Sequence, residues 1–379
     1  METTMNNRRV AEVFPPGEFI QEELDARGWT QVDLAEIIGR DTVQINRIIQ
    51  GKQAVTPETA RQLADVFGTT AELWMNLEST YRLSLVKPTG DAVARRAKLY
   101  DLYPVREMIK RGWIEASENI EVLEKRFCDF FEIPSLDETP RLAHAAKKST
   151  PGELTHAQKA WLFRARQLAP AVSAGLYSET TLKACLERLS VMRANLEDVR
   201  QVPRVLADHG IRFLVIEALP STKIDGVCFW LNRSSPVIAL SIRHDRIDSF
   251  WFTLGHELGH AMMRDGLQEP TVDTELVGED AQAFAEKPEV EREADNFACE
   301  FLVKKDELDK FIARVRPFYY KQKIALFANR INVHPGIVVG QLQHRKVIPF
   351  SHNREMLEKV QKIVTPSALT DGWGNTPSM

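Results

Sequence analysis

Residues 252–263 read FTLGHELGHAMM, two histidines four positions apart with a glutamate directly after the first. An α-helix turns once per 3.6 residues, so His256 and His260 project from one face a turn apart and can ligate one ion through imidazole nitrogen. Glu257 is too close along the chain to be a natural third ligand. It is placed instead to hydrogen-bond a water that such an ion activates and to take its proton. Zinc lowers the pKa of that water toward about 7, so a carboxylate completes the activation at neutral pH.

The flanks strengthen this reading. FWFTL and AMM make the stretch from about Ile247 to Met263 apolar nearly all round, as in a helix that crosses a domain core. Two histidines and a glutamate inside such a helix are costly without a compensating ion. Gly255 and Gly259 leave space for close approach of backbone or substrate. A catalytic zinc keeps three protein ligands and leaves the fourth position to water. Thirty-one residues after His260 begins EREADNFACEFL, an amphipathic helix with Ala294, Phe297, Ala298, Phe301 and Leu302 inward. Glu291 and Asp295 share one face at i and i+4. Glu291 is the preferred third ligand, with Asp295 orienting a histidine through its second ring N–H, and Glu293 is the competing ligand on another side of the helix.

Upstream, GIRFLVIEAL, KIDGVCFWLN and PVIALSI are short runs rich in Val, Ile and Phe with turn residues between them. They read as strands of a small sheet. Before them, residues 84–200 read as mostly helical. Arg95, Arg96 and Lys98 are a solvated basic face there, and His144 and His156 are structural or surface residues.

The first 80 residues punctuate as four short helices. PPGEFIQEELDARGW ends at Gly28. TQVDLAEIIG takes Thr30 as N-cap, with Asp33 in the place of a capping-box acid, and stops at Gly39. RDTVQINRIIQG turns Val43, Ile45, Ile48 and Ile49 inward and closes at Gly51. TPETARQLADVFG takes Thr56 as N-cap and Pro57 at the first helical position. Two short helices joined around Gly39 have the pattern of a helix-turn-helix, whose second helix enters the major groove. Its exposed face carries Thr42, Gln44, Asn46 and Arg47, able to bond base edges or phosphates. Residues 1–80 hold seven Lys/Arg against thirteen Asp/Glu, yet Arg40, Arg47 and Lys52 cluster around this helix. A local positive edge on an acidic body calls for a homodimer to gather enough phosphate contacts on double-stranded DNA.

Composition bounds the rest. The 379 residues suffice for two or three domains, with 44% hydrophobic residues, 27% charged residues and a net charge of −4. No apolar run reaches a membrane span, and the start has no secretory pattern, so a cytoplasmic location is expected. Cys128, Cys185, Cys228 and Cys299 form no CxxC pair, which argues against a disulfide framework or a thiolate zinc site.

Residues 15–83 closely resemble the XRE-type helix-turn-helix, more narrowly its HigA antitoxin branch. That resemblance implies phosphate contact by Gln31 and base reading by Thr42, Val43, Gln44 and Asn46. RIDSFWFTLGHELGH followed by EREADNFACEFLV resembles the ImmA/IrrE zinc metallopeptidases over roughly residues 205–305. It implies His256, His260 and Glu291 as zinc ligands and Glu257 as the base, in a family several of whose members cut, or trigger cutting of, a transcriptional repressor. The apolar residue and Pro common in that family after FL are replaced here by VKK, at a helix end.

The expected fold is α+β and predominantly helical. A helix-turn-helix bundle (1–83) precedes a helical connecting region (84–200), a zincin-like peptidase domain with a small β-sheet (201–350), and a C-terminal helix with a disordered tail (351–379). KIALFANRINVHPGIVVGQLQHRKVI reads as the closing helix pair of the peptidase domain, with a degenerate second helix-turn-helix as the alternative. The expected function joins sequence-specific DNA binding to zinc-dependent endopeptidase activity on a protein regulator such as a repressor, in a stress or toxin-antitoxin response. The alternative is a HigA-like antitoxin that binds DNA and a small toxin, its metal domain sensing or binding a partner without proteolysis. A purely structural zinc is disfavoured because such a site closes with a fourth protein ligand. His209, Arg243 and His244 are the candidates for steadying an oxyanion.

Overall fold

The computed structural model describes residues 13–86, 90–138, 140, 147–148, 153–267, 271–279, 281 and 283–377. The chain divides into two compact units at Val93/Ala94.

In the first unit five helices follow the punctuation of the sequence: α1 (Pro16–Arg27), α2 (Gln31–Ile38), α3 (Thr42–Ile49), α4 (Pro57–Phe67) and α5 (Ala71–Leu85). Thr30 and Asp33 form a capping box, and Gly28, Gly39 and Gly68 end their helices in the left-handed conformation. The core is Ile20, Leu24, Leu34, Ile45, Ile48, Leu63, Phe67 and Trp74. Gly17 lets α1 touch α3, because a Cβ there would lie 2.0 Å from the Ile49 carbonyl oxygen. One inward assignment is corrected. Val43 is 63% exposed, since it stands two residues, or about 200° of helical turn, before the buried Ile45.

The second unit is a mixed six-stranded sheet between two helical layers. Its strands are β1 (Lys147–Lys148), β2 (Arg212–Ile216), β3 (Ile224–Trp230), β4 (Pro236–Leu240), β5 (Thr271–Thr274) and β6 (Leu369–Asp371), in the order β1-β5-β3-β4-β2-β6. β3 runs antiparallel to β4 and β5, and the remaining pairs are parallel. β2 is buried on both faces, as its continuous apolar run requires. Phe213 and Val215 face one core while Leu214 and Ile216 face the other.

The layer against Leu214 is built by α6 (Ala92–Leu102), α7 (Val105–Lys110), α8 (Ile120–Phe131) and α9 (His156–Leu168). The region expected as a connection therefore covers one face of the sheet, with Phe127, Phe131, Trp161 and Phe163 as its buried mass. His144 lies outside the described residues. The opposite layer comprises α10 (Glu179–Met192), α11 (Val202–Asp208), α12 (Ile247–Met263), α13 (Glu289–Leu302), α14 (Lys305–Val315), α15 (Lys321–Arg330) and α16 (Pro335–His344). α15 and α16 pack on each other, and α16 packs on α12. They close this layer.

The tail departs from expectation. After α17 (Gln361–Val364) it forms the edge strand β6, parallel to β2 with Asp371 opposite Ile216. Asp371 accepts from Arg164 Nε at 2.5 Å and from Trp113 Nε1 at 3.0 Å, all three residues being buried. Gly/Pro-rich composition reads as disorder, but a buried guanidinium needs an acid, and the tail supplies it. Among the described residues no helix is long and apolar enough to cross a membrane.

Candidate metal centre and candidate nucleic-acid interface

α12 is buried at every residue from Ile247 to Ala261. Its closest helical neighbour is α13, and four small residues set their separation. A Cβ on Gly255 would stand 3.3 Å from Ala298 Cα, and one on Gly259 would stand 3.2 Å from Ala294 Cα. The space expected for backbone or substrate is thus taken by backbone. This seam carries Glu291, three residues before Ala294, and Asp295, the residue after it, into the reach of the histidines.

The two Nε2 atoms of His256 and His260 face each other at 2.9 Å. Each ring is turned by a carboxylate on its far side. His256 Nδ1–H donates to Asp295 Oδ1 at 3.0 Å, and His260 Nδ1–H donates to Asp265 Oδ2 at 3.0 Å. Both tautomers then point Nε2 lone pairs into one space. Glu291 Oε2 enters it at 3.2 Å from His256 Nε2 and 3.7 Å from His260 Nε2. Glu293 is exposed, whereas Glu291 is buried beside the two histidines.

Three neighbours escaped the sequence reading: Asp265, Lys287 and Asp273. Lys287 Nζ donates to Asp295 Oδ2 at 2.7 Å and, with His256, neutralises that buried carboxylate. Asp273, on β5, is fully buried and brings Oδ1 to 3.7 Å from His256 Nε2 and Oδ2 to 3.9 Å from His260 Nε2. The ligand atoms of His256, His260, Asp273 and Glu291 all lie within 4.8 Å of one another. Asp273 carries no spacing signal, because its approach depends on strand pairing.

The charge in this cage is unbalanced. Burial opposes a charge on His256, yet Asp273, Asp295 and Glu291 hold its pKa well above the ordinary value. His260 is held up to about 9 in the same way, against burial, chiefly by Asp265 and Glu291. Burial, then the Asp273 charge, pushes the Glu257 carboxyl well up. Among the described residues no donor reaches either oxygen of Glu257, either oxygen of Asp273, or Glu291 Oε2. Two facing imidazoles that the surrounding acids hold toward positive charge, beside buried carboxylates that no other donor reaches, fit a cation, which would take the place of the ring protons at Nε2. Two nitrogens and carboxylate oxygens are a donor set that suits zinc, whose ligands at about 2.0–2.1 Å in a tetrahedron stand roughly 3.3–3.4 Å apart. The separations between the imidazole Nε2 atoms and from them to Glu291 and Asp273 run from 2.9 to 3.9 Å and bracket that spacing.

The three oxyanion candidates have their contacts elsewhere. His209 Nδ1 is held by Val205 O at 2.7 Å, and Arg243 makes two bonds to Asp225, at 2.7 and 3.0 Å. His244 is flanked by Gly278, where a Cβ would lie 3.2 Å from its ring.

In the first unit, α3 starts from the Asp41 cap and presents Val43, Gln44 and Arg47 outward, with Thr42 and Asn46 half-buried. Asn46 Nδ2 donates to Gln31 Oε1 at 3.1 Å, and Gln31 Nε2 donates to Gln21 Oε1 at 3.3 Å, so the residues singled out on α2 and α3 share one polar surface. Arg40 Nε donates to Gln62 Oε1 at 2.7 Å, which anchors it to α4, whereas Lys52 is exposed.

Comparison with known proteins places residues 20–74 in the helix-turn-helix family and matches residues 206–345 to the IrrE N-terminal-like domain. The uncharacterised HTH-type transcriptional regulator YddM of Escherichia coli (strain K12) is 33% identical over 84 residues, 22% of this chain and 88% of that protein. Virulence-associated protein I of Dichelobacter nodosus is 32% identical over 79 residues, 21% of this chain and 73% of that protein. A solved addiction-module antidote protein of the HigA family from Coxiella burnetii is 33% identical, covering 20% of this chain and 83% of its own, with a TM-score of 0.19.

Proposed function

This chain belongs to the helix-turn-helix family of regulators and carries an IrrE N-terminal-like domain, and from that premise we propose that it joins operator binding to zinc-dependent endopeptidase activity on a protein regulator. The observation that carries the reading is the cage: facing Nε2 atoms of His256 and His260, the Glu291 carboxylate at 3.2 Å, and Glu257 beside them on one buried helix.

His256, His260 and Glu291 would hold the ion, which supplies Lewis acidity toward a carbonyl oxygen and acidifies water. Glu257 moves the proton. Its Oε atoms receive it from the attacking water and pass it to the leaving amine. Gly226 makes room for that carboxylate, since a Cβ there would lie 2.3 Å from Glu257 Oε1. Asp295 and Asp265 fix the two imidazole tautomers. In the first unit, Thr42, Val43, Gln44 and Asn46 are the proposed base readers, and Gln31, Arg40, Arg47 and Lys52 bind backbone phosphate, with a homodimer spanning two half-sites.

A census of new protein N-termini in cells carrying the wild type or Glu257→Gln, with and without DNA damage, tests this. Termini that depend on Glu257 support the peptidase and name its substrate. Identical profiles in both conditions, repeated with Asp273→Ala in both chains so that no fourth donor closes the centre, sink it. A second reading then takes over, a HigA-like antitoxin that binds DNA and a small toxin without proteolysis, and the presence of Asp273 as a fourth protein donor at the cage favours it, since a centre closed by four protein donors has no open position for water.

A further inference from the structure

β5 meets β3 in a register that sets Asp273 opposite Gly226, beside a bulge between Ile224 and Gly226. Gly226 has no side chain, and the space a Cβ would fill holds the Glu257 carboxylate. The pairing therefore stacks three things in one place: a strand glycine, the proton-carrying glutamate of α12, and an aspartate reaching toward both imidazoles. Asp273 splits its reach, Oδ1 toward His256 Nε2 at 3.7 Å and Oδ2 toward His260 Nε2 at 3.9 Å. It is 0% exposed, and among the described residues no donor satisfies either oxygen.

A catalytic zinc keeps an open position, while a closed site has four protein ligands. With Glu291 on one side of the facing imidazoles, Asp273 supplies the fourth donor, on the side where Glu257 lies. We propose that Asp273 is a protein ligand of the metal centre and holds the position an attacking water needs, so that the centre is latent until Asp273 is withdrawn. This rests on the reading of the cage as a metal site. It also gives the unsatisfied Asp273 oxygens a partner, which no hydrogen bond in the described structure does. Access of an external ligand is then limited by one side chain.

The test uses full-length protein loaded with cobalt(II), in the wild type, Asp273→Asn and Asp273→Ala. Each is titrated with acetohydroxamate while the visible spectrum is followed, and zinc retention is measured against a chelator. The wild-type spectrum is expected to stay unchanged at hydroxamate concentrations that shift both variants, a difference of about tenfold or more, and both variants should hold zinc about tenfold or more weakly. Asp273→Asn keeps the side-chain shape, so agreement between the two variants separates coordination from packing. If all three bind one cobalt per chain and take hydroxamate equally, Asp273 is no ligand and the peptidase reading survives. If the wild type binds no cobalt, the metal site itself falls and the proposal with it.

Discussion

Gly259 and Ala294 touch across the α12–α13 seam so closely that a Cβ on the glycine would lie 3.2 Å from Ala294 Cα and 3.3 Å from Phe297 Cδ1. The carboxylates of α13 reach the histidines of α12 because of this contact. Gly259→Val should push the helices apart, costing ~1–3 kcal/mol of stability as an overpacked core does. It should also lower the zinc bound per chain. Thermal unfolding with a metal assay checks both, and a variant with unchanged melting and full zinc would remove the seam from the account.

The tail makes a second prediction. Arg164 and Asp371 are a buried pair with side chains 2% and 1% exposed, and Asp371→Ala strands the guanidinium. Removing one partner of such a pair costs ~3–5 kcal/mol. A loss well under 1 kcal/mol in denaturant unfolding would mean that Arg164 finds another partner.

His334 gives a pH dependence away from the metal cage. Its Nδ1 accepts the Gly336 N–H at 3.1 Å as the cap of α16, and its Nε2–H donates to Glu358 at 3.1 Å, so the folded chain needs the neutral ring. Burial lowers its pKa, with Glu358 opposing. The unfolded chain, at about 6.5, takes the proton first. Stability from this group is therefore fully present above about pH 6.5 and declines as the pH falls toward the lower folded value. His334→Asn keeps a capping side chain without the titration. Its melting temperature should fall less than that of the wild type between pH 7.5 and 5.5, and parallel curves would refute the assignment.

On α3, Gln44 and Arg47 are exposed, so their loss should leave folding intact and change DNA binding alone. With an operator selected from random duplexes, Gln44→Ala should cost ~1–3 kcal/mol and relax preference at one base position. Lys52→Ala should weaken all duplexes alike and reduce the salt slope by about 1. Uniform effects from both would place Gln44 on the backbone.

What the sequence by itself determined is local and periodic. Thr30, Asp33 and Gly39 announce two helices and the turn between them through caps that act within four residues. The HELGH spacing puts two imidazoles on one face, and Glu291 and Asp295 share a face for the same reason. Helical period reaches no further than its own helix. That Glu291 meets His256 follows from the glycine–alanine seam, and that Asp273 joins them follows from the register of β5 on β3 with its bulge. Apolar character alone places Val43 in the core, but the turn of α3 leaves it outside. The composition of the tail suggests disorder because composition carries no record of a partner. Arg164, more than 200 positions earlier in the chain, gives Asp371 its reason to be buried, and only the folded chain brings the two together.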